Sequence, residues 1–235
     1  MFVADIDRFT CESIDEILGP RDSRFFGNGF RNVTHHIHDV HIKPFDKTVE
    51  AVASINYPRN WSKKAHHELK PHLSSIDALA ISAQLNEAYL YTVHNVKESH
   101  KNQMWLRKCI MRVNTATQDL SNFSVNTRLS MSEINGTSLC GNLSHFVSNI
   151  GNISVEMVID HWVNETKAEN HHHYQHIDDL LGKSELRYYG MGYKTSFHEI
   201  KDVIIDTDKK KISTQISMTY PNKNHIQCGQ GAFYL

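Results

Sequence analysis

The chain carries two copies of one segment, and this repeat limits its possible folds more than any other feature. IDEILGPRDSRFFGNGFRNVTHHIHDV begins at Ile14 and IDDLLGKSELRYYGMGYKTSFHEIKDV begins at Ile177. The offset of 163 residues holds without a gap from Ile14 to Pro58, with 16 identities in those 45 positions. Among them are Gly19/Gly182, Arg24/Arg187, Gly27/Gly190, Gly29/Gly192, His35/His198, Asp39/Asp202 and the pair Tyr57-Pro58/Tyr220-Pro221. A period this long is not that of a solenoid. It implies two copies of one domain-sized unit.

Hydropathy patterning outlines that unit. Residues 14–19 and 177–182 read as a helical turn stopped by glycine. The paired glycines of RFFGNGF and RYYGMGY suggest a bend or bulge leading into strands at 31–43 and 194–206. Residues 47–57 and 211–220 alternate apolar and polar, as half-buried strands do. Residues 74–92 are apolar around most of a helical circumference, which predicts a buried helix, with Ser74 or Ser75 at its N-cap. Four segments follow at 104–114, 122–133, 138–149 and 151–163, each reading as an antiparallel strand. The polar stretch 164–176 reads as a linker.

An antiparallel sheet wrapped around one helix is the hot-dog architecture. The expected fold is therefore α+β, a double hot-dog with its second copy incomplete. The first unit would span 1–163 with its central helix at about 74–92, and the second unit would span 177–235. Subtracting the offset from Leu235 lands on His72, so copy two stops where copy one reaches its helix. Copy two is expected to supply strands up to about 228–235 and no helix. It should then pack on the sheet of copy one, pair with a second chain as a homodimer, or order poorly. Double hot-dog sites draw on both halves, so reduced or lost activity is expected.

Composition excludes several functions. Apolar residues make up 40% of the chain, enough for a core and too many for a disordered protein. The formal net charge is −1, with no basic stripe, which argues against nucleic-acid binding. No apolar run approaches the roughly 18 residues of a membrane span. The N-terminus lacks the basic and apolar regions of a secretory signal. Cys11, Cys109, Cys140 and Cys228 form no CxxC pair. A cytoplasmic protein with reduced thiols is expected, in which Asn-x-Ser/Thr triplets such as the one at Asn122 carry no glycan.

The segment His72-Leu73-Ser74-Ser75-Ile76-Asp77 is the most informative for chemistry. It places a histidine at a helix entrance and an aspartate in the first turn. The positive end of the helix dipole favours a carboxylate and a neutral imidazole there, as acid/base work requires. Gln84 lies two turns further along the same helix face. A bland reading competes: Asp77 caps the helix and Gln84 bonds to sheet carbonyls. His35 and His198 share a repeat position, as do Asp39 and Asp202, and a structural role common to both copies is the stronger reading. Arg24-x-x-Gly-x-Gly and Arg187-x-x-Gly-x-Gly lack the strand and helix that flank a phosphate loop, so a fold-specific bend is expected. His171-His172-His173 with His176, and His66-His67, are not expected to hold a metal, because consecutive side chains point apart. Lys209-Lys210-Lys211 reads as a solvated turn.

HLSSID entering a long apolar helix resembles the HPxLLD element of dehydratase domains in polyketide synthases. Those domains are double hot-dogs acting on acyl chains carried as thioesters. GPRDSRFFGNGF, the repeated His-x-Ile-x-Asp-Val strand, YPRNWS and KPHLSSIDALAISAQL together resemble the avirulence D (AvrD) family. That resemblance spans essentially the whole chain. It implies a part in making small acylated lactone-sugar elicitors called syringolides, from a β-ketoacyl thioester and a sugar-derived partner. His72 and Asp77 would then be catalytic, with Gln84, His35 and His198 binding substrate. No metal or redox cofactor is expected, the carrier or CoA arm being part of the substrate. The competing functions are a non-catalytic binding or remnant protein of the same fold, and a dehydratase or thioesterase acting on ordinary acyl thioesters.

Overall fold

The structure is a computed structural model and describes residues 8–59, 61, 70–101, 103–134, 138–164, 168 and 170–219. Its elements in chain order are β1 (Arg8–Ser13), α1 (Ile14–Leu18), β2 (Thr34–Lys43), β3 (Thr48–Asn56), α2 (Ser75–Val93) and α3 (Glu98–Lys101). Then follow β4 (Trp105–Val113), β5 (Phe123–Ile134), β6 (Asn142–Ile150), β7 (Ile153–His161), β8 (His172–His176), α4 (Asp178–Leu181), β9 (Phe197–Asp206) and β10 (Lys211–Thr219). The chain forms two compact units. Of the described residues, the larger comprises those within 34–57 and 70–193, and the smaller comprises 8–33, 58, 59, 61 and 194–219. Both are interleaved along the sequence, where the repeat suggested a division at 163 and 177.

The larger unit is one antiparallel sheet of seven strands, in the order β4-β7-β6-β5-β3-β2-β8. Helix α2 packs against β2, β3, β5, β6 and β7. At about 1.5 Å per residue its 19 residues run roughly 28 Å. It is buried on nearly every side: Ala78, Ile81, Leu85, Ala88 and Leu90 have no exposed surface. The inward faces of the strands supply Val40, Val49, Ala53, Phe146 and Val155. This is an α+β arrangement of the kind a hot-dog-like fold requires. Polar side chains on α2 are matched across the core. Ser82 Oγ donates to Ser148 Oγ at 2.6 Å, Ser148 Oγ to Thr127 Oγ1 at 2.9 Å, and Thr127 Oγ1 to Asn86 Oδ1 at 2.7 Å. Each of these groups would cost on the order of 1–3 kcal/mol if left unpaired.

The smaller unit holds a three-stranded sheet, β1-β9-β10, with α1 beside it. The equivalence of the two copies reaches further back than Ile14. Strand β1 pairs with β9 with Cys11 opposite Val203 and Ser13 opposite Lys201. Strand β8 pairs with β2 with Tyr174 opposite Val40 and His176 opposite His38. Every one of these pairs maps onto the other by the 163-residue offset. Each copy therefore gives its leading strand to the hairpin of the other copy, a reciprocal exchange. The segment 164–176, expected as a linker, thus contains a strand at 172–176. Its polar composition hid it, because strand preference depends on the partner it packs against.

The repeated identities have local causes. Gly19 and Gly182 end α1 and α4 with φ of 80° and 82°, a region open to glycine. Arg24 is ion-paired to Asp15 and Arg187 to Asp178, the same bridge in both copies. The RxxGxG segments form tight turns between short 3-10 helices, where the sequence suggested a bend or bulge entering a strand. A Cβ on Gly27 would lie 2.1 Å from the Arg21 carbonyl oxygen, and one on Gly190 would lie 2.2 Å from that of Ser184. Asp39 and Asp202 sit in β-bulges with φ of 52° and 50°. The expected strand at about 228–235 lies outside the described residues. We expect Gly27→Ala and Gly190→Ala each to cost about 1–3 kcal/mol in urea unfolding. Gly192→Ala, whose nearest neighbour would be 3.1 Å away, should cost less.

Candidate active site at the entrance of the central helix

Helix α2 begins with a capping box. Ser74 Oγ accepts from Asp77 N at 3.2 Å, and Ser74 N donates to Asp77 Oδ2 at 3.1 Å. This arrangement satisfies two otherwise orphaned N–H groups. It also turns the Asp77 carboxylate back over the helix entrance, into a site where only 1% of that side chain is exposed. Ser74 Oγ donates to Oδ2 at 2.6 Å, and the Tyr57 hydroxyl bonds to the same oxygen. Oδ1 is bonded to His35 Nε2 at 2.7 Å. His35 comes from the start of β2 and Tyr57 from just beyond β3, so neighbouring strands supply the partners.

Burial pushes the Asp77 carboxyl upward, but the hydrogen bond and charge of His35, with Ser74 and Tyr57, outweigh it and hold the group below its usual range. An ionised carboxylate only accepts. His35 must therefore donate its Nε2–H to Asp77. Burial, Asp77 and its hydrogen bond raise the Tyr57 phenol. Burial, Asp77 and Tyr188 do the same for Tyr193. Both phenols thus stay protonated, and Tyr57 donates to Asp77 Oδ2. A groove of about 390 Å³ opens beside the cluster, lined by Ile55, Tyr57, Lys70, Pro71, Gln118 and Leu120.

The expected site residues divide as follows. Asp77 is the centre of the cluster. His72 contributes its carbonyl oxygen, 2.9 Å from the Tyr57 hydroxyl. Its own imidazole is exposed, with Nδ1 3.2 Å from the Lys70 carbonyl oxygen. The imidazole on Asp77 belongs to His35, because the capping box turns the carboxylate toward the sheet. Gln84 is buried, its Oε1 accepting from Arg187 Nη1 at 2.9 Å and its Nε2 3.3 Å from the Ala80 carbonyl oxygen. It anchors the second RxxGxG turn to the helix. His198, in the smaller unit, has Nε2 3.4 Å from Ser196 Oγ. Burial, then Arg31 and Arg21, lower its pKa. His35 and His198 therefore share a strand position but not an environment. His66 and His67 lie outside the described residues.

Two buried polar clusters at the far end of the sheet gave no sequence signal. Asp160, fully buried, accepts from Arg107, Ser138 and the amides of Leu139 and Cys140, which fixes the 138–141 loop. Its neighbour His161, also fully buried, donates from Nδ1 to the Trp162 carbonyl oxygen at 2.9 Å. Nε2 then accepts from Ser144 Oγ at 2.7 Å. Only the β-pairing brings these residues together, so sequence spacing does not reveal them.

The depressed carboxyl of Asp77 makes stability depend on pH. A folded pKa below the unfolded value adds stability above about 3.9, and this is lost as the pH falls through the folded value. Urea titrations of Asp77→Asn should show this acid limb diminished and a loss of about 3–5 kcal/mol at neutral pH, as for a broken buried pair.

No curated protein matches the chain. The family model described as Pseudomonas avirulence D protein (AvrD) matches residues 9–234, nearly the whole chain. That match covers nearly the whole chain, and the chain belongs to the avirulence D (AvrD) family.

Proposed function

We propose that this chain is an acyl-processing protein of the double hot-dog type that works on a β-ketoacyl thioester in the biosynthesis of a small acylated elicitor. The observation that carries this reading is the 2.7 Å contact between His35 Nε2 and Asp77 Oδ1 at the entrance of a buried helix. A β-ketoacyl group reacts through loss of the proton between its two carbonyls, so the site needs a base and donors for the enolate oxygen. Asp77 fixes the His35 tautomer so that Nδ1 takes the proton, and the carboxylate stabilises the resulting imidazolium. Tyr193, kept protonated, is the donor suited to the enolate oxygen, while Tyr57 holds the Asp77 carboxylate. The groove beside Tyr57 is the entry for the thioester arm. The thioester arrives as substrate, and this chemistry needs no further cofactor.

A second reading, a non-catalytic protein of the same fold, draws on the capping box, which gives Asp77 a purely structural use. Metabolite mass spectrometry of cells expressing the chain separates the two. His35→Ala and Asp77→Asn should reduce the acylated product by about 100-fold or more, within the range of a positioned acid/base. His72→Ala should leave most of it. Product that persists in a folded His35→Ala variant, or that vanishes only in His72→Ala, would overturn the assignment.

A further inference from the structure

The bulge in β2 and the segment that leads into the polar strand β8 bring together two pairs of residues far apart in sequence. Asp39 Oδ1 lies 3.1 Å from His41 Nε2 and 2.9 Å from His173 Nε2. The three ligand atoms all fall within 4.8 Å of one another. His41 and His173 are direct partners across the β2–β8 ladder, and their rings stack with centroids 4.5 Å apart. His41 Nδ1 in turn lies 3.2 Å from His171 Nε2. Consecutive histidines do point apart, but alternate residues along an extended chain share a face, so His171 and His173 both reach His41.

The repeat provides an internal control. At the positions equivalent to His41, His171 and His173, the β9–β1 pairing has Ile204, Arg8 and Thr10. That pairing carries the same bulge, with Asp202 in the same left-handed conformation and the same strand register. The backbone therefore does not need the histidines. Of the two equivalent strand pairings, the β2–β8 one carries three histidines beside its aspartate.

We propose that Asp39, His41 and His173 form a binding site for a divalent transition-metal ion of the zinc class, which clamps the edge strand β8 to β2. Two imidazole nitrogens and one carboxylate oxygen suit such ions and are poor for magnesium or calcium. Metal on Nε2 of His41 requires the proton on Nδ1, which then donates to His171. That is the outer hydrogen bond that orients a metal-bound histidine. The remaining coordination positions face solvent and take water.

Titration calorimetry of the full chain with zinc chloride, after chelator treatment, tests the site. One saturable site per chain is expected, with a melting temperature that rises with zinc concentration. His171→Ala should weaken binding by about 10-fold or more, as loss of an outer partner does. The double variant His41→Ile/His173→Thr installs residues that the β9–β1 pairing uses in the same ladder. It should keep the metal-free fold by circular dichroism and lose both the site and the thermal shift. Asp39→Asn tolerates the left-handed backbone and should lose binding independently. Absence of a one-to-one site in the unaltered chain, or a site that survives both Asp39→Asn and the double variant, would overturn the proposal.

Discussion

A helix buried on nearly every side must find partners for the polar side chains it takes into the core, and that requirement organises the larger unit. Four polar side chains of α2 are met by specific neighbours. Ser82 and Asn86 are met by Ser148 and Thr127 on the sheet, and Gln84 by the guanidinium of Arg187. Asp77 is met by Ser74, His35 and Tyr57. Shifting the helix by one turn would leave several of these groups unpaired in the core. The polar matches therefore fix where the helix sits, and the apolar residues around them supply the bulk of the burial.

Within that frame Asp77 stands apart, because it is a charge and not merely a polar group. A buried carboxylate persists only when donors replace its water. Ser74 and Tyr57 provide them, and His35 provides one that also carries a titratable nitrogen. The same contacts that make the helix entrance stable thus place an imidazole and a protonated phenol on one anion. Structural capping and acid/base chemistry use the same oxygens here, which is why the two readings of HLSSID were hard to separate at the level of sequence.

The elements set by local patterning were legible from the sequence. The period of α2, the alternation in β3 and β10 and the glycine stops at Gly19 and Gly182 each follow from a few neighbouring residues. The strand exchange was not legible, because β1 and β8 are short, and His172–His176 is polar and becomes a strand only beside β2. The partner of Asp77 was misassigned for a similar reason. His72 is close in sequence, whereas His35 arrives through pairing of β2 with β3, and no spacing rule encodes that approach. The repeat itself held the missing signal: the pairing of β8 with β2 and of β1 with β9 could be read only once the offset was extended to residue 8.

The central claim is that Asp77 holds His35 in one tautomer at the helix entrance. Long-range proton–nitrogen correlation spectra of the ¹⁵N-histidine-labelled chain at neutral pH test it most directly. The account predicts that the His35 ring, assigned through its loss in His35→Ala, carries its proton on Nε2 and leaves Nδ1 bare. A His35 ring protonated on Nδ1 with a bare Nε2 would contradict it.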